Sequence, residues 1–215
     1  MKYDAVLFDM DGTVVDSLAD ITDAVNHAMR CFGLAERTPE QVRAHLGNGA
    51  RRLLAGLLPD AAEAFLEEVL ACYLPYYAEH TGDRTRPYDG ILPLMEKLKA
   101  AGVRLAILSN KPDAAVQPLA ETYFAGLVEL AVGERAGVRR KPEPDMIDAA
   151  ASALGVDRGR CLYVGDSEVD VATAENAGID CAAVSWGYRS REELLRAGAK
   201  TIVDRPEELL RCVEG

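Results

Sequence analysis

Residues 6–13 read Val-Leu-Phe-Asp-Met-Asp-Gly-Thr, and this stretch decides the fold class and directs the search for function. The apolar run at 6–8 predicts a strand buried on both faces, because such strands are continuously hydrophobic. Asp9 and Asp11 follow it directly, and Gly12 permits a sharp turn that re-aims one of the two carboxylates. One carboxylate could then act as a nucleophile while the other donates and accepts protons. An ordinary strand-ending turn has the same composition, so the motif alone leaves both interpretations open.

Composition indicates a folded enzyme-sized chain with an acidic surface. It has 215 residues, of which 49% are hydrophobic, enough for one or two domains. The 24 basic and 35 acidic residues give a net charge of −11, which argues against nucleic-acid and anionic-membrane partners. An acidic protein that handles an anionic substrate needs local cations or a metal ion, and we expect a metal.

The chain has no apolar stretch long enough to span a bilayer, and residues 1–4 lack the apolar core of a signal peptide. Five cysteines are scattered without a C-x-x-C pair, so neither a zinc site nor a disulfide framework is predicted. The three histidines show no ligand spacing. We therefore expect a cytoplasmic protein with reduced thiols, at Cys31, Cys72, Cys161, Cys181 and Cys212, and with histidines at His27, His45 and His80.

Short apolar runs alternate with amphipathic helical stretches over most of the chain. This alternation predicts an α/β fold with a doubly wound, mostly parallel sheet and right-handed crossovers. Representative helices are predicted at residues 91–101, 145–154 and 169–177. The predicted strands are residues 6–8, 103–108, 127–132, 161–164, 181–184 and 201–203.

One segment, residues 17–83, contains no convincing strand. Apolar residues recur at helical spacing from Leu18 to Met29 and again over 61–77. A gap of this length is too long for a loop inside a compact sheet. We therefore predict an inserted α-helical domain at 17–83 between core segments 1–16 and 84–215, with hinges at 15–17 and 82–87.

Two further polar signals follow predicted strands. Ser109 and Asn110 come directly after the strand at 103–108, where they could bind phosphate oxygens or simply cap a helix. Lys141 stands in Arg-Arg-Lys-Pro-Glu-Pro at 139–144. There it could be a fixed charge against a phosphate or a carboxylate, or an ordinary solvated lysine.

The last signal is Gly-Asp-Ser-Glu-Val-Asp at 165–170, after the strand at 161–164. Asp166 follows the strand and Gly165, and we predict that it binds magnesium. Asp170 lies on the same side of the first helical turn, where an acidic residue also stabilises a helix amino terminus. Because ligands of doubly wound sheets bind at the carboxyl ends of the strands, all these signals are expected to converge.

Together these residues resemble the haloacid dehalogenase superfamily of aspartate-nucleophile hydrolases over the whole chain. The resemblance rests on D-x-D-G-T at 9–13, on Ser109 and Lys141, and on G-D-x-x-x-D at 165–170. The helical insertion is similar to that family's cap domain. Within the family, D-G-T-V-V-D-S at 11–17 and the Gly-Asn-Gly turn at 47–49 resemble phosphoglycolate phosphatases.

The resemblance implies a Mg²⁺-dependent phosphomonoester hydrolase that works through an aspartyl-phosphate. Asp9 would be the nucleophile, Asp11 the general acid and base, and Lys141 a charge balance between Asp9 and phosphate. The metal ligands would be Asp9, the backbone carbonyl of Asp11, Asp166 and Asp170, the last either directly or from the second coordination sphere. An acid at position 11 disfavours dehalogenase and phosphonate-cleaving chemistry.

Substrate recognition is assigned to phosphate-binding residues and to a loop of the insertion. Arginine's planar fork suits a substrate carboxylate, although Arg51 could equally be the exposed start of a helix. His45 could contact substrate or be structural. The predicted substrate-binding residues are Thr13, Ser109, Asn110, Gly47, Asn48, Gly49 and Arg51.

We expect a small phosphorylated metabolite as partner, 2-phosphoglycolate first, and a monomer or homodimer that binds neither nucleic acid nor membrane. Sugar phosphates, pyrophosphate and a phosphoglucomutase-like reaction remain open. A non-catalytic phospho-ligand-binding protein is a further alternative, but a binder would gain nothing from Asp11.

Overall fold

The computed structural model describes all 215 residues and is built on a six-stranded parallel sheet. The strand order is β5-β4-β1-β6-β7-β8, so the chain winds outward in both directions from β1. This confirms the predicted doubly wound α/β fold. The strands are β1 (Ala5–Phe8), β2 (Val15–Asp16), β3 (Arg86–Pro87), β4 (Arg104–Pro112), β5 (Leu130–Glu134), β6 (Cys161–Gly165), β7 (Asp180–Val184) and β8 (Thr201–Val203).

Ten α-helices accompany these strands. They are α1 (Leu18–Cys31), α2 (Pro39–Arg43), α3 (Ala50–Leu57), α4 (Glu63–His80), α5 (Ile91–Ala100), α6 (Asp113–Phe124), α7 (Asp145–Leu154), α8 (Glu168–Ala177), α9 (Arg191–Arg196) and α10 (Leu209–Glu214). No helix combines the length and the apolar character that crossing a membrane requires.

The two faces of the sheet are covered by different helices. Val6 and Phe8 of β1 join a cluster of 23 buried apolar residues that includes the inner faces of α5 and α10. Ala5 and Leu7 point the other way, into a cluster with α7 and α8. This alternation along a central strand explains why β1 is apolar at every position.

The strand β4 differs most from the prediction, because it continues to Pro112 instead of ending at 108. Its pairing with β5 resumes after a register shift between Leu108 and Pro112. Ser109 and Asn110 therefore lie within the strand and do not cap a helix. β5 also begins three residues later than predicted, because the chain first turns at Gly126, which has a φ of 75°.

The helical insertion comprises α1 to α4 and contributes 15 residues to a cluster of 17 buried apolar residues, which Ala115 and Tyr188 of the core complete. The two hinge regions pair with each other as a short antiparallel ribbon of β2 and β3. Buried Asp20 at the start of α1 accepts hydrogen bonds from the backbone N–H groups of Arg84 and Thr85. The exit and return of the insertion are thus tied together beside the end of β1.

Candidate active site

Lys141 is the centre of a buried ionic network at the carboxyl end of β1. Its Nζ donates to Asp9 Oδ1 at 2.7 Å and to Asp170 Oδ1 at 2.8 Å, and it lies 3.0 Å from the hydroxyl of Tyr163. Only 2% of Lys141 is exposed. The solvated-lysine alternative is therefore wrong, and two carboxylates hold the ammonium group in one place.

Asn110 holds the lysine loop against the sheet. Its side-chain oxygen accepts from the backbone N–H of Lys141 at 2.9 Å, and its amide donates to the carbonyl of Lys141 at 2.9 Å. The same amide donates to the carbonyl of Gly47 in the helical insertion, also at 2.9 Å. Asn110 therefore joins three segments of the chain, although we predicted it as a phosphate ligand.

Asp166 and Asp170 enter the site from the end of β6 and the start of α8. Asp166 accepts from the hydroxyl of Thr13 at 3.2 Å and from the backbone N–H of Tyr188 at 2.7 Å. Asp170 Oδ2 accepts from the backbone N–H and the hydroxyl of Ser167, forming a capping box. Asp170 thus caps the amino terminus of α8 and also pairs with Lys141.

Asp9, Asp166 and Asp170 form a buried acidic cluster whose carboxylate oxygens lie within 4.8 Å of one another. One ammonium group, that of Lys141, opposes these three carboxylates. Burial, reinforced by Asp170, raises the pKa of Asp9 well above its usual value and that of Asp166 to about 7. An excess of buried hard oxygen donors is the environment that a divalent metal ion relieves. The donor set therefore fits a divalent metal.

Gly12 lets the loop after β1 approach this cluster. Its φ of 88° lies in the left-handed region. A Cβ at this position would lie 2.4 Å from Oδ2 of Asp166, closer than any real contact. Only glycine therefore fits where the loop after β1 passes Asp166.

Asp11 belongs to a separate pair on the cavity side. Its Oδ1 accepts from the hydroxyl of Ser17 at 2.5 Å and from Nζ of Lys111 at 2.9 Å. Lys111 is 5% exposed and also contacts the hydroxyl of Tyr77 in the helical insertion. Sequence reasoning missed Ser17 and Lys111 as site residues. Lys111 stands in the same Ser-Asn-Lys-Pro run as Ser109, so its position next to a predicted ligand was the available signal.

A cavity of about 50 Å³ lies between the sheet and the helical insertion. This is room for roughly four water molecules. Lys111 is the one basic residue in its lining. The core contributes Asp9, Asp11, Ser109, Asn110, Lys111 and Pro112, and the insertion contributes Ile21, Leu46, Gly47, Gly49, Ala50, Leu53 and Tyr73.

Three of the predicted substrate-binding residues do not line this cavity. Arg51 is turned toward α4, where its Nε donates to Glu67 at 2.8 Å and its guanidinium also contacts Glu63. Asn48 accepts from Arg52, and Thr13 is fully buried against Asp166. The Arg51 guanidinium group is already paired with these two glutamates, and the structure therefore does not bring Arg51 to the cavity.

The raised pKa of Asp166 predicts a pH-dependent stability of the metal-free protein. Between pH 4 and 7 the folded protein holds a proton on Asp166 that the unfolded chain, with a pKa near 3.8, has lost. The free energy of unfolding of chelator-treated protein should therefore fall by up to about 1.4 kcal/mol for each pH unit of increase. Urea titrations of wild type and Asp166→Asn measure this, and the difference between them isolates Asp166. Parallel pH profiles for the two proteins would contradict the assignment.

The fold and the site define a hydrolase of the doubly wound α/β class in which an aspartate and a fixed lysine share a buried acidic cluster. Residues 3–178 match the family model of haloacid dehalogenase-like hydrolases, and the chain belongs to this family.

Relatives with assigned activities match nearly the whole chain. It is 33% identical over 216 residues to phosphoglycolate phosphatase 1 of Pseudomonas aeruginosa, covering 97% of this chain and 79% of the relative. It is 36% identical over 220 residues to the N-acetylmuramic acid 6-phosphate phosphatase of the same organism, covering 100% and 96%. A crystal structure of a predicted phosphoglycolate phosphatase from Lactobacillus delbrueckii subsp. bulgaricus has 39% identity and a TM-score of 0.94, and the match covers 99% of both chains. The chain is accordingly a phosphatase of this family, and its substrate is a small phosphorylated metabolite.

Proposed function

We propose that the protein is a Mg²⁺-dependent phosphatase of a small phosphorylated carboxylic acid such as 2-phosphoglycolate. The observation that carries this proposal is that Asp9 both lines the cavity and is held by buried Lys141. Relatives named phosphoglycolate phosphatase support the substrate class. The single cation in its lining, Lys111, could pair with phosphate or with a substrate carboxylate.

In the first step, an Asp9 carboxylate oxygen attacks phosphorus in line and the bond from phosphorus to the leaving oxygen breaks. Asp11, protonated from solvent once the substrate draws Lys111 away from it, gives that proton to the oxygen, so the alcohol departs neutral. An entering phosphate dianion competes with Asp11 for the ammonium group of Lys111, which loosens the Asp11–Lys111 pair as substrate binds. The product of this step is phosphorylated Asp9.

In the second step, water attacks the phosphorus of phosphorylated Asp9, and Asp11 accepts a proton from that water. The bond between phosphorus and the Asp9 oxygen breaks, which restores the carboxylate and releases phosphate. Lys141 stays beside Asp9 through both steps, since Asp170 and Asn110 fix its position. Positioning and charge neutralisation of this kind account for most catalysis of phosphoryl transfer.

Asp9 and Asp166 would hold the magnesium ion, together with the backbone carbonyl of Asp11 that family resemblance implies. Asp170 is the weaker candidate for a direct ligand, because both its oxygens already accept hydrogen bonds. When bound, the ion neutralises the negative charge that Asp9 and the phosphate bring together.

We further propose that residues 17–83 act as a cap domain that closes over a core formed by 1–16 and 84–215. In the structure, Asn110 and Arg189 of the core donate to carbonyls of the insertion at Gly47 and at Arg43 and Leu46. These contacts join the insertion to the core beside the cavity, and they would have to break if the insertion swings away from the core. Closure of this kind excludes water during the reaction.

N-acetylmuramic acid 6-phosphate is the second candidate substrate, because the relative of that name matches the full length of this chain. More of the relatives are named phosphoglycolate phosphatase, which is why 2-phosphoglycolate is placed first.

The direct test is phosphate release from 2-phosphoglycolate, N-acetylmuramic acid 6-phosphate, glucose 6-phosphate and pyrophosphate. We expect the highest kcat/KM with 2-phosphoglycolate in Mg²⁺, and no turnover after chelation with EDTA until Mg²⁺ is restored. A preference for either sugar phosphate would overturn the proposed substrate class. Unchanged rates in EDTA would remove the metal from the proposal.

Asp11→Asn should leave the enzyme trapped as a phosphorylated protein. An amide cannot take the proton of the attacking water, so we expect turnover to fall by about 10² to 10⁴-fold. Intact-mass measurement after acid quenching should show one added phosphoryl group when p-nitrophenyl phosphate, whose leaving group needs no acid, is the substrate. Asp16→Asn, an exposed acid nearby, is the matched control and should behave as wild type. Fast turnover without phosphoprotein would contradict the role of Asp11.

A further inference from the structure

The helical insertion carries a second group of potential metal ligands. His27 and Cys31 are four residues apart on α1 and therefore share one face of the helix. Cys72 comes from the facing helix α4. One ring nitrogen and the two sulfur atoms all lie within 4.8 Å of one another, and none of the three residues lines the cavity. The sequence analysis predicted no such grouping, because Cys72 is distant along the chain.

The spacing of these atoms matches tetrahedral zinc. Sγ of Cys31 lies 3.6 Å from Nε2 of His27. With zinc–sulfur bonds near 2.3 Å and zinc–nitrogen bonds near 2.0–2.1 Å, a tetrahedral site separates neighbouring sulfur and nitrogen ligands by roughly 3.6 Å. The same geometry separates two sulfur ligands by roughly 3.8 Å. The upper limit of 4.8 Å on the distances among the three ligand atoms exceeds the sulfur–sulfur separation of such a site by about 1 Å, a difference that rotation of the side chains can close.

The surroundings favour an exchangeable ion over a buried one. The ring of His27 stacks on Tyr76 with centroids 3.9 Å apart and planes 12° apart, which fixes its orientation. Cys31 is exposed, while His27 and Cys72 are half-buried, so an ion can enter from solvent. Three protein ligands leave the fourth position of the tetrahedron to water. Thiolates and imidazole prefer zinc, whereas magnesium takes oxygen ligands, so the two metal sites would not compete for one ion.

We propose that His27, Cys31 and Cys72 form a Zn²⁺ site that clamps α1 to α4. Helix α1 begins directly after β2, and α4 is the last helix before β3, so the clamp joins the two helices that connect the insertion to the core. Cys72 also adjoins Tyr73, whose side chain lines the cavity. Binding converts the two thiols to thiolates and releases their protons to solvent.

Cobalt(II) is the probe that separates this site from the acidic cluster. Reduced wild-type protein, kept in a phosphine reductant, should bind Co²⁺ with an intense near-ultraviolet band from thiolate-to-cobalt charge transfer, saturating at one equivalent and removed by added Zn²⁺. Cobalt on the aspartates gives no such band, because those ligands are oxygens. Cys31→Ser and Cys72→Ser should each lose most of the band. Cys212→Ser, a half-buried cysteine elsewhere, and Asp166→Asn should keep it.

A second measurement does not depend on cobalt. In the Asp166→Asn background, Zn²⁺ should raise the melting temperature, because an ion that binds only the folded state stabilises it. Adding Cys31→Ser and Cys72→Ser to that background should abolish the shift. The proposal is overturned if reduced wild type shows no charge-transfer band, or if the band survives in the Cys31→Ser/Cys72→Ser double variant.

Discussion

Replacing Asp9 with asparagine is expected to lower kcat by about 10⁴-fold or more, the scale on which enzymes lose turnover when the nucleophile is removed. An amide has no anionic oxygen with which to attack phosphorus. The fold should survive, since asparagine fits the same space as aspartate. The substitution also removes a buried carboxyl group whose pKa is raised by burial. The measurement is phosphate release with Mg²⁺, accompanied by circular dichroism and a melting temperature.

The control for Asp9→Asn is Asp4→Asn. Asp4 precedes the same strand, but its carboxylate is exposed and paired with Arg160. It should retain wild-type kcat. Intact-mass spectra of quenched reactions add a direct test, because wild type can carry phosphate on Asp9 whereas Asp9→Asn cannot. Turnover near that of wild type in Asp9→Asn would show that another group attacks the phosphorus.

The sheet could be predicted from sequence because its strands are covered on both faces. Continuous apolar runs mark β1 and β6 to within one residue at each end. The β2–β3 ribbon could be located only as a pair of hinges. Each of its strands has two residues, and its stability comes from pairing Val15 with Pro87, which no local pattern reports.

The site was predictable where a residue type is fixed by its place at a strand end. Asp9 and Asp166 follow buried strands directly, and the structure brings them together with Lys141. Lys111 and Ser17 were missed because their importance lies in their contacts with Asp11, one of which spans 100 positions. Such a contact is a property of the folded chain, and the sequence signalled Lys111 only through its place in the same run as Ser109.

Two polar residues predicted to bind substrate already have hydrogen-bond partners inside the protein. Arg51 has the chemistry to bind a carboxylate, but Glu63 and Glu67 on α4 already pair with it. Asn110 has the chemistry to bind phosphate, yet its amide holds the Lys141 loop. Whether such a side chain is available to substrate depends on its hydrogen-bond partners inside the folded protein. The sequence shows which side chains have the right chemistry but not which of them are already paired.

Lys141→Met is expected to destabilise the protein by about 3–5 kcal/mol at neutral pH, as removal of one partner from a buried ion pair does. Methionine fills a similar volume but leaves Asp9 and Asp170 buried without their cation. Urea unfolding of metal-free protein measures the loss. The loss of stability should be smaller at lower pH, because Asp9 and Asp170 then take up protons and no longer carry a buried charge. Arg139→Met, an exposed cation of the same loop, should change stability little.

The double variant Lys141→Met/Asp170→Asn separates structural charge balance from catalysis. Removing one abandoned carboxylate should restore part of the lost stability, so the two substitutions are non-additive in unfolding. Turnover should not return, because Asp9 and the incoming phosphate still lack the ammonium group that opposes their charge. Recovery of kcat together with stability would mean that Lys141 acts only by keeping the site folded. Recovery of neither would point to a role of Asp170 beyond pairing, through the capping box that it forms with Ser167.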